Sequence, residues 1–546
     1  NQSRPFNFGE LPLSLTTMSI DVKDNWTIQP GTLPSSLVSL TLLPDFERFL
    51  DPNVPILIPG SLPGSLETLS LQGSIIERLK PGLLPSSLKS LKLDDLRVPP
   101  TLGDIPSSII SLEFGSDFNH PLGVGVLPSS LQTLHFGYTF NQQFLPGVFP
   151  RSLKSLYFDE GLFNQSFGLD VLPPHLTTLS LLSRFNKTII PGSLPNSLVT
   201  LQFGKIYGTI DLDVLPTSLT SLTYEFKGTF SLRYSFELYT YSLLVSWPPS
   251  LQTMVVGDLW RFNYHEPIPI PPSVTSLSIQ LVQQEHLRLL SKSLTYLDLG
   301  HTFNSPITQG SLPPSLVHLI IGNAFNQVLP TGVLPATLTD LSLGDTFNQA
   351  LPIGVLPPSL KSLGLGRHFK QGLKQTSLPG TLRTLSVDSR GQTKYVTLPT
   401  SSFKSDLDLL EVRTGFFWTN MATKNKASSI KLLRIKQYKR TYERSQAHII
   451  GPMVVSFPNV HTFDVTFHIH RSKDSLDFDL PLKLPIDCDL LYRIQVRRIH
   501  HQLAICLIYN HHYLIKDPKF CLRILDLSRY DGSRPSCPSP AIHTFN

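Results

Sequence analysis

The sequence predicts a repeat solenoid: one long parallel β-sheet with mostly irregular loops on its outer side and a β-rich C-terminal cap. Three observations predict it. A five-residue anchor, Leu-Pro-x-Ser-Leu with variants, begins eighteen times between Leu11 and Leu398. Most intervals are 20 to 23 residues, with longer ones of 29 after Leu33 and 32 after Leu215. Each anchor is followed by apolar residues at alternate positions, the period of a half-buried strand. Finally, 47 prolines coexist with 40% hydrophobic and only 16% charged residues. Disorder is proline-rich but poor in apolar residues, so here the prolines must occupy fixed places in a folded repeat.

The unit is clearest in LPSSLQTLHFGYTFNQQFLPGV, Leu127 to Val148. Proline fixes its own φ and lacks an amide, so it suits the turn entering a strand and not the middle of one. Leu134 and Phe136 share one strand face, and Thr133 and His135 share the other. A four-residue strand is not stable alone. Stacked units pair each strand with the next and bury the leucine faces in a continuous core. Gly137 follows the last apolar strand position, as do Gly115, Gly204, Gly257, Gly300, Gly322, Gly344 and Gly366. Glycine there is expected to permit the bend to the outer side.

The outer side carries Phe-Asn, for example Phe118-Asn119, Phe140-Asn141, Phe262-Asn263, Phe303-Asn304, Phe325-Asn326 and Phe347-Asn348. A column kept constant along the array reads as structure: Phe fills the back of the core and Asn bonds loop backbone. Phe-Asn followed by Leu-Pro-x-Ser-Leu at this period resembles the FNIP repeat, with Phe303-Asn304-Ser305-Pro306 and Phe118-Asn119-His120-Pro121 close to its signature. The resemblance covers about residues 5–400. It implies a leucine-rich-repeat-like fold and an interaction module, and some members of that family carry an N-terminal F-box that recruits ubiquitin ligases. In departure from the pattern, Phe369 is followed by Lys370, and the repeats from Leu62, Leu84, Leu194 and Leu215 lack Phe-Asn.

Two outward strand positions line the sheet surface of each unit. The first is mostly Ser or Thr, which suits strand structure; Tyr296, His318 and Asp340 break the run. The second varies and includes Lys92, Glu113, His135, Tyr157, Asp298 and Ile320. Variation on a fixed scaffold is what a recognition surface needs. Tyr296, Asp298, His318, Ile320 and Asp340, with His135 and Tyr157, are therefore the candidate partner-binding residues. The interval after Leu215 adds Phe230, Tyr234, Phe236, Tyr239 and Tyr241, read as a degenerate repeat or an inserted hairpin.

Composition changes near residue 400. Residues 401–546 hold 21 Lys and Arg against 13 Asp and Glu, and the first 400 residues hold 25 against 27. This divides the expected array of about 18 repeats, 1–400, from 401–546, read as degenerate repeats and a basic cap. Leu407, Leu409 and Leu410, then Leu432, Leu433 and Ile435, look like eroded ladder segments. The basic stretch Lys431 to Arg444 reads as a solvated strand or helix face, with contact to nucleic acid or anionic membrane as the alternative. Cys488, Cys506 and Cys521 with His500, His501, His511 and His512 match no zinc-ligand spacing, so no metal or cofactor is expected.

The four cysteines do not form a disulfide framework, no apolar run reaches 18 residues, and no signal peptide is visible. A cytoplasmic protein without a transmembrane segment is expected. The chain starts inside a repeat without a methionine, so sequence ahead of Asn1 is expected, and no F-box is visible. No P-loop, G-x-G-x-x-G, H-E-x-x-H or G-x-S-x-G occurs. The sequence thus favours a protein–protein interaction solenoid over an enzyme, and no small-molecule substrate is expected. The alternatives are a substrate-recognition subunit of a ubiquitin ligase and a secreted adhesion or glycan-binding repeat protein. For the last, sequons stand at Asn25, Asn164 and Asn186.

Overall fold

The computed structural model describes residues 11–22, 27–44, 55–73, 78–94, 96–206, 214–226, 247–256, 270–280, 287–288, 290–373, 375–389, 406–414, 430–441, 460–470, 489–500, 503–511 and 519–526. The aromatic segment from Phe230 to Tyr241, the Phe262-Asn263 pair and the Leu398 anchor lie outside them. The chain divides into two compact units, Asn1–Phe262 and Asn263–Asn546.

The first unit is a parallel ladder. Its strands are β1 (Thr17–Val22), β2 (Ser39–Pro44), β3 (Thr68–Leu71), β4 (Ser90–Leu93), β5 (Ser111–Phe114), β6 (Thr133–Phe136), β7 (Ser155–Phe158), β8 (Thr178–Leu181), β9 (Thr200–Ile206), β10 (Ser221–Phe226) and β11 (Thr253–Val256). Each pairs with the next in sequence, and Leu69, Leu91, Leu112, Leu134, Leu156, Leu179 and Leu201 align in one buried row.

The second unit holds a parallel ladder of its own: β12 (Ser276–Ile279), β13 (Tyr296–Asp298), β14 (His318–Ile321), β15 (Asp340–Leu343), β16 (Ser362–Leu365), β17 (Thr384–Ser389), β18 (Leu407–Thr414), β19 (Ile430–Thr441) and β20 (Val460–His470). The residue-400 composition change therefore falls within a continuing ladder, since β17 pairs with β18 in parallel register. The direction changes later. Strands β21 (Asp489–His500), β22 (Leu503–His511) and β23 (Lys519–Asp526) follow β20 in antiparallel order. This is the β-rich cap, of which the backbone alone is described. Its register sets Cys506 opposite Val496 and Arg523, and Cys521 opposite Ile508.

Among the described anchors that carry the proline, the amide of the last apolar residue donates to the proline carbonyl, as Leu131 to Pro128 at 3.1 Å, and in the anchor from Leu290, which has serine there, Leu294 donates to the Ser291 carbonyl at 3.3 Å. The serine of the anchor bonds backward across repeats. Ser130 Oγ donates to the carbonyl of Ile109, Ser152 to Leu131 and Ser315 to Leu294, at 2.6, 2.6 and 2.8 Å. Thr337 and Thr381 serve equally well where serine is replaced, at 2.7 and 2.8 Å. This column of hydroxyls links successive repeats, each bond contributing about 1 kcal/mol.

Inside, the phenylalanine of Phe-Asn forms a second row. Phe303, Phe325, Phe347 and Phe369 are fully buried and stacked about 6 Å apart, with planes within 8° of parallel. Phe118 and Phe140 are arranged likewise, 6.0 Å apart at 1°. The asparagine ladder lies beside them: Asn304 Oδ1 accepts from the Asn326 amide and Asn326 Oδ1 from the Asn348 amide, both at 2.9 Å. Lys370, which replaces asparagine, still donates its amide to Asn348 Oδ1 at 2.8 Å. In the turn after Leu84, which lacks Phe-Asn, Leu96 is buried.

The glycine column has a different cause from the one its sequence position suggests. Of Gly115, Gly137, Gly204, Gly300, Gly322, Gly344 and Gly366, only Gly300 has a positive φ, 75°. A Cβ on Gly322 would overlap the Gly300 carbonyl oxygen, and one on Gly344 or Gly366 would overlap the carbonyl of Gly322 or Gly344. Glycine stands there because neighbouring backbones touch, not because the chain bends sharply. The left-handed turns occur elsewhere, two residues ahead of many of the anchors, as at Gly125, Gly147, Gly332 and Gly354, and Asp170 takes the same conformation.

Candidate functional site

On the sheet face of the first unit, the second outward column runs Ser70, Lys92, Glu113, His135, Tyr157, Ser180 and Gln202 in register. Lys92 Nζ lies 2.6 Å from Glu113 Oε1 and 3.8 Å from Asp94 Oδ1. The hydrogen bond to Glu113 holds the ammonium above its ordinary pKa. His135 and Tyr157 stack with ring centroids 4.2 Å apart and planes 13° from parallel. Burial lowers the His135 pKa against the opposing pull of Glu113 and Asp159. These two predicted residues form one aromatic pair on adjacent strands.

In the second unit the other five predicted residues form a grid of two rows across three strands. Tyr296, His318 and Asp340 stand opposite one another in the first column, and Asp298, Ile320 and Ser342 in the second. His318 Nδ1 is 3.1 Å from Asp340 Oδ2, which also accepts from Thr339 Oγ1 at 2.6 Å. The Tyr296 and His318 rings are 6.3 Å apart. Asp298 accepts from the Gly300 amide at 2.9 Å and from Ser278 Oγ at 3.3 Å. Burial, then the Asp298 charge, raises the Tyr296 phenol pKa, so its hydroxyl is protonated and able to donate.

These five residues line one end of a trough of about 440 Å³ on the sheet face. Its floor continues as Ser342, Gly364 and Ser386, aligned on β15, β16 and β17, and its far side carries Asp388 and Arg413. The trough forms because the second column shrinks to hydroxyl and hydrogen while its neighbours keep long side chains. Sequence reasoning missed this small-residue floor.

It also missed a charged ladder beside the trough. After Gly366 the glycine column gives way to Asp388, Arg413 and Lys436, which stand in register. Arg367 reaches Asp345 at 3.3 Å and Asp388 at 3.9 Å. Glu411, buried, receives Arg413 at 2.9 Å and both Arg434 and Lys436 at 3.5 Å. Burial alone would raise its pKa, but the Arg413 hydrogen bond and the Lys436 charge hold it below the usual value. Lys431 pairs with Asp408 at 2.7 Å and Arg434 with Asp464 at 3.2 Å. Three cations of the Lys431–Arg444 stretch are thus engaged by carboxylates of adjacent strands, and residues 442–444 lie outside the described residues.

Stacked parallel strands, inter-repeat ladders and a variable sheet face define a solenoid of the leucine-rich-repeat type. The sequence pattern of the family described as FNIP Repeat matches at 52–95, 99–139, 118–161, 163–205, 286–324, 325–366 and 347–388, so this chain carries FNIP repeats. Among solved structures it is similar to CroV588, described as a novel circular LRR protein. Identity is 27% and the TM-score 0.53, over 83% of this chain and 69% of that one. Mouse RP105 in its complex with MD-1 is 15% identical, with a TM-score of 0.48 over 82% of each chain. A structure of the Drosophila Toll–Spatzle complex is 13% identical, with a TM-score of 0.43, over 68% of this chain and 60% of that one. No curated protein is detectably similar. Among the described residues, no helix is long and apolar enough to cross a membrane.

Proposed function

We propose that the chain is a non-catalytic recognition solenoid that binds a protein partner on its sheet face, in a cytoplasmic setting inferred from its cysteine usage. The supporting observation is the trough from Tyr296 to Arg413. It opens where both outward columns leave the Ser/Thr pattern, and it joins an aromatic, carboxylates and exposed backbone on a rigid ladder. By contrast, the constant columns are consumed by the fold: Phe is buried and Asn and the anchor Ser bond neighbouring repeats. The His135–Tyr157 pair is a second contact area on the same reading.

A photo-crosslinking residue placed at Ile320 or Ser342, and separately at Gln327 or Gln349 on the outer loops, tests the reading in cells. A discrete protein adduct is expected from the sheet-face positions. Adducts confined to the outer loops would overturn the assignment of the face.

A further inference from the structure

Resting on the sheet-face reading, we infer that the Tyr296–Asp340 end of the trough is built to receive an arginine side chain of an extended partner segment. The argument begins with charge. The trough is lined by Asp298, Asp340, Asp345 and Asp388 against one guanidinium, Arg413, which Glu411 holds at 2.9 Å. Asp345 and Asp388 are answered by Arg367. Among the described residues, neither Asp298 nor Asp340 pairs with a lysine or arginine: Asp298 takes an amide and a hydroxyl, and Asp340 takes Thr339 and the His318 ring. Negative charge without a full cation is therefore concentrated at this end.

Geometry narrows the complement. Asp298 and Asp340 occupy opposite corners of the grid, two strands and two residues apart, with Ile320 beside Asp298 and His318 beside Asp340 on the strand between them. Strand spacing and rise place their Cα atoms about 12 Å apart. Asp298 keeps a lone pair on each oxygen beyond its bonds to Gly300 and Ser278, and the printed bonds of Asp340 fall on Oδ2, so one planar guanidinium lying over β14 can donate a charge-assisted hydrogen bond to each carboxylate. Ile320 supplies an apolar floor for the methylene stem, and Tyr296 presents a half-buried ring at the adjacent corner. A flat cation able to stack and to donate on two edges suits these surroundings better than a compact ammonium.

Room for the segment's backbone lies next to the grid. Gly364 sits in the middle of β16 without a positive φ, and a Cβ there would meet nothing closer than Ser342 Oγ at 3.3 Å. Unlike Gly344 and Gly366 it is not held to glycine by a backbone contact, and a strand-interior glycine of this kind leaves room for another backbone to approach closely. Ser342 and Ser386, on either side, keep the approach low and offer hydroxyls.

The test is panning short random peptides displayed on phage against the full chain, with elution judged by competition against Gly364→Trp, which fills the trough. Arginine-bearing peptides are expected to dominate. Their Kd should rise at least about tenfold in Asp298→Asn and in Asp340→Asn, while replacing the arginine by alanine should abolish selection. Unchanged thermal unfolding of the Asn variants shows that they fold. Peptides that need the open trough but carry no cation, or that ignore both Asn substitutions, would overturn the arginine assignment and leave sheet-face binding standing. Peptides indifferent to Gly364→Trp would overturn both.

Discussion

Gly344→Ala and Gly364→Ala place the same methyl group on neighbouring repeats, and the structure gives them opposite signs. At Gly344 the new Cβ overlaps the Gly322 carbonyl oxygen and lies 2.6 Å from the Asn323 Cα. Both are backbone atoms of the preceding repeat, so the ladder itself must move. Overpacking of this kind costs about 1–3 kcal/mol. At Gly364 the nearest atom is a hydroxyl that rotates away, and alanine there removes about 0.5–1 kcal/mol of glycine's entropic penalty. In a solenoid each repeat rests on its neighbours, so the effect is local and is best read by hydrogen exchange of the β14, β15 and β16 amides. A 2 kcal/mol loss corresponds to about 30-fold faster exchange in Gly344→Ala, whereas Gly364→Ala should exchange no faster than the parent. If Gly344→Ala left exchange unchanged, or Gly364→Ala proved the more damaging, backbone contact would not be the reason for the glycine column.

Phe325, stacked 6.0 Å from both Phe303 and Phe347, should cost about 3–5 kcal/mol as Phe325→Ala and clearly less as Phe325→Leu in denaturant unfolding. Asn326→Ala strips the acceptor from the Asn348 amide and should speed its exchange about fivefold, the equivalent of ~1 kcal/mol, while Asn326→Asp retains protection. The His135 imidazole should titrate below 6.5 by NMR and move upward in Tyr157→Ala; because the folded pKa is depressed, its contribution to stability is present above 6.5 and is lost on acidification, and a midpoint at or above 6.5 would refute this. Glu411 is also depressed in the fold, so the stability it contributes is present above 4.5 and is lost as pH falls through the folded value; acid unfolding should be less steep in Glu411→Gln.

The ladder was legible because its determinants are local and repeated. Anchor spacing sets the rise, and alternation sets the face, so Leu134 and His135 were placed correctly from sequence and Tyr296, His318 and Asp340 were aligned across strands. The glycine column was legible as a position but not as a cause, because a backbone contact with the preceding repeat leaves no mark within one repeat. The trough floor escaped notice for a related reason. Ser342 and Ser386 look like further members of a bland Ser/Thr face, and they matter only because Gly364 stands between them and Asp388 and Arg413 rise beside them. The charged ladder left a trace, the change from glycine to Asp388 in the last position of the repeat, but its partners come from strands whose spacing had already lost the 22-residue period.

The two hydrogen-bonded ladders run in opposite senses. Each asparagine side chain serves the backbone of the repeat that follows, and each anchor serine serves the repeat before it. A unit that carries both Phe-Asn and the anchor hydroxyl therefore offers its successor the same acceptor and its predecessor the same donor. A duplicated unit placed between Phe325 and Phe347 would meet identical joints on both sides, so array length can change by gain or loss of whole units without redesign at the junctions. Lys370 receives such a bond at its amide but has no side-chain oxygen to pass on; it ends the asparagine series while the strands continue. Copy number is thus nearly free to vary on this scaffold, and the outward columns are where divergence has consequences.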